Sequence, residues 1–259
     1  MKRLFFISSG LVLLLVTTLS SCAQTPKVQY YTYKVVETYK HDISAYTQGL
    51  FFDEGNLYES TGQYGESSLR RVDLATGNVL QREVFLPKYF VEGSCTFGDR
   101  LYVLTWMERV CFVYDKKSFK KIGQFPTRRE GWGLTTDGKY LIQSDGSAQI
   151  YFIDPNTFVD QRSITVKLDG RTQTMINELE YIDGKIWANV YTEDRVLIIN
   201  PTNGDVEGVI DFSNILPRNL KTTRTDVLNG IAYNPLDKSI YVTGKYWPRL
   251  YKVEIFPKK

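Results

Sequence analysis

Histidine occurs once in this 259-residue chain, at His41, and cysteine three times, at Cys22, Cys95 and Cys111. Residues so scarce exclude a zinc site built from clustered His and Cys. An excess of one charge sign is also missing. Lys and Arg number 32 against 29 Asp and Glu, for a net +3, and no run of five basic residues occurs. The chain lacks the electrostatic footprint of a nucleic-acid binder. It has no Gly-x-x-x-x-Gly-Lys-Ser/Thr loop, no Gly-x-Gly-x-x-Gly fingerprint and no Gly-x-Ser-x-Gly turn, which removes the commonest phosphate, dinucleotide and serine-nucleophile signatures. No useful amphipathic helical stretch interrupts the sequence. What is plentiful is aromatic: 18 Tyr, 14 Phe and 4 Trp, a composition that favours sheet.

The chain opens on an address. Lys2 and Arg3 precede an apolar stretch that starts near Leu4 and includes Leu11 to Leu15, too short to span a membrane. Leu19-Ser20-Ser21-Cys22 follows and resembles a bacterial lipobox, in which a cysteine just after the cleavage site carries lipid. Residues 1–21 therefore read as a lipoprotein signal peptide, Cys22 as the lipidation site, residues 22–28 as a tether and residues 29–259 as the folded domain. The expected location is outside the cytoplasm: an exported lipoprotein, held to the membrane through its lipid alone, on the periplasmic or cell-surface side.

The remainder is repetitive. Each unit opens with a strand at a polar or aromatic residue, turns at Gly or Asp-Gly and continues into an aromatic-rich strand. A third strand ends at Asp or Asn. The units begin at Gln48-Gly49-Leu50, Glu92-Gly93-Ser94, Trp132-Gly133-Leu134, Asn177-Glu178-Leu179 and Asn229-Gly230-Ile231, at spacings of 44, 40, 45 and 52 residues. Units of this length with four short strands are propeller blades. The predicted fold is all-β: a five-bladed β-propeller. The fifth unit ends near Phe256, before a fourth strand can form, so the alternating segment around Tyr31, Tyr33 and Val35 is expected to close the ring. The segments near Gly170 to Ile176 and Asn214 to Asp226 read as loops between blades.

Aligned units expose unusual residues. The position before the glycine reads Gln48, Glu92, Trp132, Asn177 and Asn229 and is expected near a mouth of the central channel. The third position of the second strand reads Glu59, Val103, Ile142, Ala188 and Val242. A lone carboxylate in a buried apolar column is expected either to have a raised pKa, suited to proton transfer, or to be matched by Arg70 or Arg71. The last position reads Gly62, Trp106, Asp145, Tyr191 and Lys245. Trp106, Trp132 and Trp247 are candidate aromatic walls, and Lys245 a candidate donor at a pocket rim. His41, without a spaced partner, reads as structural. Cys95 and Cys111 fall on strands that flank a middle one, about 9.5 Å apart. A disulfide needs Cα atoms within about 7 Å, so both are expected as free, buried thiols.

Tyr46-Thr47-Gln48-Gly49-Leu50, Leu57 to Gly65, Glu130 to Leu134, Asn177 to Tyr181, Asp226 to Ala232 and Val242 to Pro248 together resemble the plant and bacterial glutaminyl cyclases, the glutaminyl-peptide cyclotransferases. The resemblance spans about residues 40 to 256. It implies cyclisation of an N-terminal glutamine to pyroglutamate with release of ammonia. It assigns the essential acid to Glu59, with Lys245 and Asn177 beside it in catalysis. Substrate binding falls to Gln48, Tyr46, Trp106 and Trp132. Tyr46 stands where a Phe is usual, and Ser94-Cys95 replaces the usual Leu-Thr. No cofactor and no metal is called for. The expected partners are peptides or proteins with N-terminal Gln, met by a monomer.

Two rival readings remain at this level. One is a lactonase-like propeller hydrolase with a divalent cation on Glu92, Asn177 and Asn229. The other is a non-catalytic ligand-binding lipoprotein.

Overall fold

The computed structural model describes Met1 and residues 27–258. Residues 2–21 of the predicted signal peptide, Cys22 and residues 23–26 of the tether lie outside the described residues. Val28, assigned to the tether, packs instead into an apolar cluster with Val166, Val206 and Val209, so the folded body begins at least one residue earlier than expected.

The architecture is all-β, and no α-helix occurs among the described residues. A long first strand, β1 (Gln29–Lys40), precedes a meander of β2 (Thr47–Asp53), β3 (Asn56–Thr61), β4 (Ser68–Val72) and β5 (Val79–Val84). A second meander holds β6 (Val91–Phe97), β7 (Arg100–Thr105), β8 (Val110–Asp115) and β9 (Lys121–Pro126). A third holds β10 (Leu134–Thr136), β11 (Leu141–Ser144), β12 (Gln149–Ile153) and β13 (Asp160–Thr165). Each is a four-stranded antiparallel sheet. The segment expected as a loop near Gly170 contains a small hairpin, β14 (Lys167–Leu168) and β15 (Arg171–Thr172). The later insert carries one short 3-10 turn at Arg218–Leu220.

The remaining strands are β16 (Ile176–Ile182), β17 (Lys185–Val190), β18 (Arg195–Ile199), β19 (Val206–Asp211), β20 (Leu228–Asn234), β21 (Ser239–Gly244) and β22 (Arg249–Pro257). They form one sheet with β1, in the order β16-β17-β18-β19-β1-β22-β21-β20. β1 pairs antiparallel with β22 along most of its length, from Lys40–Arg249 to Tyr31–Pro257. Its parallel pairing with β19 spans only Gln29 to Tyr31.

Apolar side chains fill the space between neighbouring sheets. Phe51, Tyr58 and Leu69 of the first meander meet Leu101, Val103 and Phe112 of the second. Cys95, Cys111 and Leu104 meet Leu134, Leu141 and Ile153 of the third. Both cysteines are free and buried, as expected.

The first strand of each unit touches its neighbours in cyclic order, β2 to β6, β6 to β10, β10 to β16, β16 to β20 and β20 to β2. β2 and β6, and β6 and β10, approach too closely for side chains between them. A Cβ on Gly49 would lie 2.7 Å from the Ser94 nitrogen, and one on Gly93 would lie 2.5 Å from the Leu134 nitrogen. Contacts under 3 Å are sterically forbidden, which accounts for the repeated glycine.

The fourth unit breaks this pattern with Glu178. Its carboxyl accepts the backbone N–H of Leu50 at 3.3 Å and that of Ile231 at 2.9 Å, joining β16 to both β2 and β20. Glu180, two residues on, accepts from the Tyr233 N–H at 2.9 Å and the Thr135 hydroxyl at 3.3 Å. Burial raises both carboxyls: Glu178 well above the carboxylate range and Glu180 to about 8. Unfolded, such groups ionise near 4.5. Between these values the folded chain holds a proton that the unfolded chain has released. Stability therefore falls as pH rises across that window, by about 1.4 kcal/mol per pH unit for one such group. Glu180→Gln keeps the acceptor for Tyr233 and removes the titration. It should lose less stability than the parent between pH 5 and 8, as read from urea midpoints.

Candidate active site

Four of the inner strands carry a bulge at the same place. The register shifts between Thr47 and Gly49 in β2, between Val91 and Ser94 in β6, between Ile176 and Leu179 in β16 and between Leu228 and Ile231 in β20. A bulge re-aims the side chain it carries. The bulged residues are Gln48, Glu92, Asn177 and Asn229, while Trp132 sits just ahead of β10.

A cavity of about 210 Å³ opens at this level. Gln48, Glu92 and Asn177 face it from the bulges. Trp106, Tyr191 and Lys245, each the residue just after a second strand, line it as well, together with Tyr46 and Trp132. Six residues singled out in the sequence are thus brought around one space: Tyr46, Gln48, Trp106, Trp132, Asn177 and Lys245. Phe90 and Gln63 complete the lining. Phe90 holds Tyr46 edge-on at 6.0 Å and Trp106 at 5.5 Å between ring centroids, and Trp132 meets Tyr191 at 5.7 Å. Glu130 locks two walls at once, its carboxylate accepting the indole N–H of Trp106 at 2.8 Å and of Trp132 at 3.3 Å. Trp247, expected among the walls, is not one of them. It packs over Gly244 into the core and donates its indole N–H to the Asp226 carbonyl at 2.8 Å.

Glu59 departs most from expectation. It is buried as predicted but does not line this cavity. Thr47 donates its hydroxyl to the Glu59 carboxylate at 2.8 Å, and His41 Nε2 donates to the same oxygen at 2.9 Å. His41 Nδ1 meets the Trp247 carbonyl at 2.6 Å. With acceptors on both nitrogens, the ring is held as the imidazolium. Arg70 stands 3.8 Å from Glu59 and bonds Asp42 at 2.7 Å. Burial alone would raise the Glu59 carboxyl, but His41, Arg70 and Thr47 outweigh it, and the pKa is lowered. Burial would likewise lower His41, yet Glu59 and the Trp247 carbonyl raise it. Glu59 is therefore an ionised partner in a buried charge network. The raised pKa expected of it is reversed, and the alternative of a matched charge holds, with His41 as the main partner.

The displaced carboxyl is Glu92. Burial holds it well above the carboxylate range, Glu108 and Glu130 push the same way, and Lys245 pulls it part of the way back. Lys245 is 2% exposed, and its ammonium lies 4.5 Å from the Tyr46 ring centroid and 5.0 Å from that of Tyr191. Burial lowers its pKa against the pull of Glu92 and Asp226. Glu92 was visible in the sequence as the one acid in the pre-glycine column. The bulge that turns it inward is a pairing property and was not visible.

An aromatic-walled cavity holding a carboxyl shifted up, an ammonium shifted down and two amides is an acid–base enzyme site for a small polar group. The glutamine cyclotransferase family profile matches residues 10–255, and the chain belongs to that family. It is 41% identical over 227 residues to a glutaminyl-peptide cyclotransferase of Arabidopsis thaliana, covering 86% of this chain and 71% of that protein. Its fold matches the crystal structure of Myxococcus xanthus glutaminyl cyclase with a TM-score of 0.84 at 35% identity, covering 90% of this chain and all of the other.

The charge network around Glu59 makes its own prediction. Above about pH 4.5 Glu59 is charged in either state, and below about 6.5 so is His41, so the pair stabilises most between these values. Its contribution is lost as pH falls through the lowered Glu59 value or rises through the raised His41 value. Breaking a buried pair from one side costs about 3–5 kcal/mol. Glu59→Gln should show a loss of that order in urea unfolding near pH 6.

Proposed function

We propose that this chain cyclises the N-terminal glutamine of peptides to pyroglutamate with release of ammonia. The observation that carries the reading is the buried, upward-shifted Glu92 carboxyl facing Lys245 inside an aromatic box, in a member of the glutamine cyclotransferase family.

The chemistry needs little from the protein beyond geometry, proton transfer and charge stabilisation. Both reacting groups belong to one residue, so holding it folded back on itself supplies most of the proximity term. The α-nitrogen attacks the side-chain amide carbon. A new carbon–nitrogen bond forms, the bond to the amide nitrogen breaks, and ammonia leaves. One proton passes from the α-nitrogen to the departing nitrogen, and Glu92 carries it. An α-amine titrates near 7.7–8.0. A carboxyl raised by burial stands closer to the amine than an ordinary carboxylate does and exchanges a proton with it at lower cost. Lys245 offers its ammonium to the amide oxygen as that oxygen gains charge. Tyr46, Trp106 and Trp132 enclose the aliphatic stem and exclude water.

The metal-hydrolase alternative placed a cation on Glu92, Asn177 and Asn229. Asn229 does not line the cavity, and its oxygen is turned to the Asn177 amide N–H at 2.9 Å, so these three residues do not all face one space there. Glu92→Gln should lower kcat for a Gln-initiated peptide by about 10²–10⁴ while leaving stability intact. Lys245→Ala should lower it by about 10²–10³. Glu59→Gln should stay within a few-fold of the parent per folded molecule. Mass spectrometry of the peptide, following loss of ammonia above the spontaneous rate, checks all three. A Glu92→Gln protein that turns over normally removes the acid role from this residue.

The architecture read with this function is a five-bladed propeller closed by its N-terminus. The three meanders, β16–β19, and β20–β22 with β1 as outermost strand are its blades, and the cyclic contact of inner strands supports that reading. Removing residues 29–39 would strip β22 of its partner and expose a sheet edge. The shortened protein should lose thermal stability as a whole rather than fray locally, as a calorimetric scan would register.

A further inference from the structure

We propose that Asn229 is a positioning residue that sets which ends of the Gln48 and Asn177 amides face the substrate, making Gln48 a donor to the substrate's amide oxygen and Asn177 an acceptor for its nitrogen. The inference rests on the glutamine-cyclising reading of this cavity.

The argument starts from a backbone carbonyl, whose polarity is not open to choice. The Thr47 carbonyl oxygen lies 2.9 Å from Asn229 Nδ2 and can only accept. This fixes the Asn229 amide, with nitrogen towards Thr47 and oxygen away. The oxygen of Asn229 then accepts from Asn177 Nδ2 at 2.9 Å. The second hydrogen of Asn229 Nδ2 is directed to Gln48 Oε1 at 3.3 Å. Asn177 thus turns its nitrogen towards Asn229, and Gln48 turns its oxygen there. The opposite atom is the one each directs to the cavity it lines: Oδ1 of Asn177 and Nε2 of Gln48.

Asn229 is fully buried, and its neighbours hold it in place. Gly230 follows at φ +121°, a backbone conformation side chains rarely adopt, and its N–H is accepted by Asn189 Oδ1 at 3.0 Å. The amide is therefore locked at the bulge of β20, where it spans the Gln48 and Asn177 bulges.

The resulting polarity matches the substrate. The reacting glutamine brings one acceptor, its amide oxygen, which becomes anionic as the α-nitrogen attacks. It also brings two nitrogen donors. Gln48 and Lys245 supply hydrogens to the oxygen, while Asn177 and Glu92 receive those on nitrogen. A Gln48 flipped by half a turn would set its own oxygen against the developing anion.

Asn229→Asp tests this with near-identical shape. Aspartate in either protonation state serves at most one of its two carbonyl acceptors, Thr47 and Gln48, so Gln48 must turn its nitrogen inward. The expected result is a fall in kcat of about 10²-fold, the scale of one lost oxyanion donor, with KM little changed. The effect should vanish in a Gln48→Ala background and persist in full in an Asn177→Ala background. Exchange of the Gln48 side-chain amide protons, followed by NMR on the nitrogen-labelled protein, should slow in Asn229→Asp. Equal losses in all backgrounds, or an unchanged Gln48 amide signal, overturns the proposal. Should Asn229→Asp fail to fold, Asn229→Ala, which frees both amides, enters the same cycles, and its loss should shrink in the Gln48→Ala and in the Asn177→Ala background alike. If the parent protein releases no ammonia above the spontaneous rate, it is the cyclisation reading that fails, and the NMR arm still decides the orientation.

Discussion

The approach of the inner strands to one another is the constraint on which the rest depends. Between β2 and β6, and between β6 and β10, the backbones come so near that no Cβ fits at Gly49 or Gly93. Strands packed that tightly have no room for a side chain at the axis. In β2, β6 and β20 a bulge beside the glycine relieves the crowding, and it turns the preceding residue towards the open end. The steric solution that lets the sheets converge is thus also the one that presents Gln48, Glu92 and Asn229 on the mouth side. Glu178 solves the same problem differently. With no glycine at this position of the fourth unit, the Glu178 side chain reaches across to β2 and β20 and its carboxyl takes up N–H groups of both.

Buried charges in this protein fall into two groups, and the difference is in their partners. Glu59 and Glu92 are the same residue type and both are buried. Glu59 has an imidazolium, a hydroxyl and a guanidinium around it and is held ionised. Glu92 faces the cavity with other carboxylates nearby and only Lys245 to offset them, and it is pushed the other way. Leaving a polar group unmatched in a buried site costs roughly 1–3 kcal/mol, and a charge more. The protein tolerates that cost at Glu92 and Lys245, where a substrate can supply the missing partners, and avoids it at Glu59, whose partners all come from the protein itself.

The sequence carried the repeat, the all-β class and most of the cavity. Gln48, Trp132 and Asn177 stand in one aligned column and Trp106 and Lys245 in another, because equivalent positions of equivalent strands reach the same level. It did not show which glutamate is the displaced one. A carboxylate in an apolar column announces burial, but its pKa is decided by neighbours, and His41 reaches Glu59 from a separate segment 18 residues earlier. Trp247 misled for a related reason: its chain position puts it near Lys245, but the turn at Gly244 folds its ring back over the backbone and into the core. Glu130 had no repeating counterpart, so nothing in the aligned units marked it as the residue that fixes two indoles.

The size of the cavity limits what it can recognise. About 210 Å³ is below the usual range for small-molecule pockets, roughly 300–1,000 Å³. It accommodates one folded side chain with its α-nitrogen, and the remainder of a peptide must stay outside. Discrimination therefore rests on the few polar atoms inside rather than on the following residues. A glutamate in place of glutamine would present two acceptors and no leaving nitrogen. Its charge would need desolvation in a box that already holds a displaced carboxyl, and Asn177, if turned as the Asn229 amide dictates, would meet it oxygen to oxygen. The same arrangement that assists glutamine thus works against its nearest isostere. Selectivity of this kind depends on buried polar groups that only the correct substrate can satisfy.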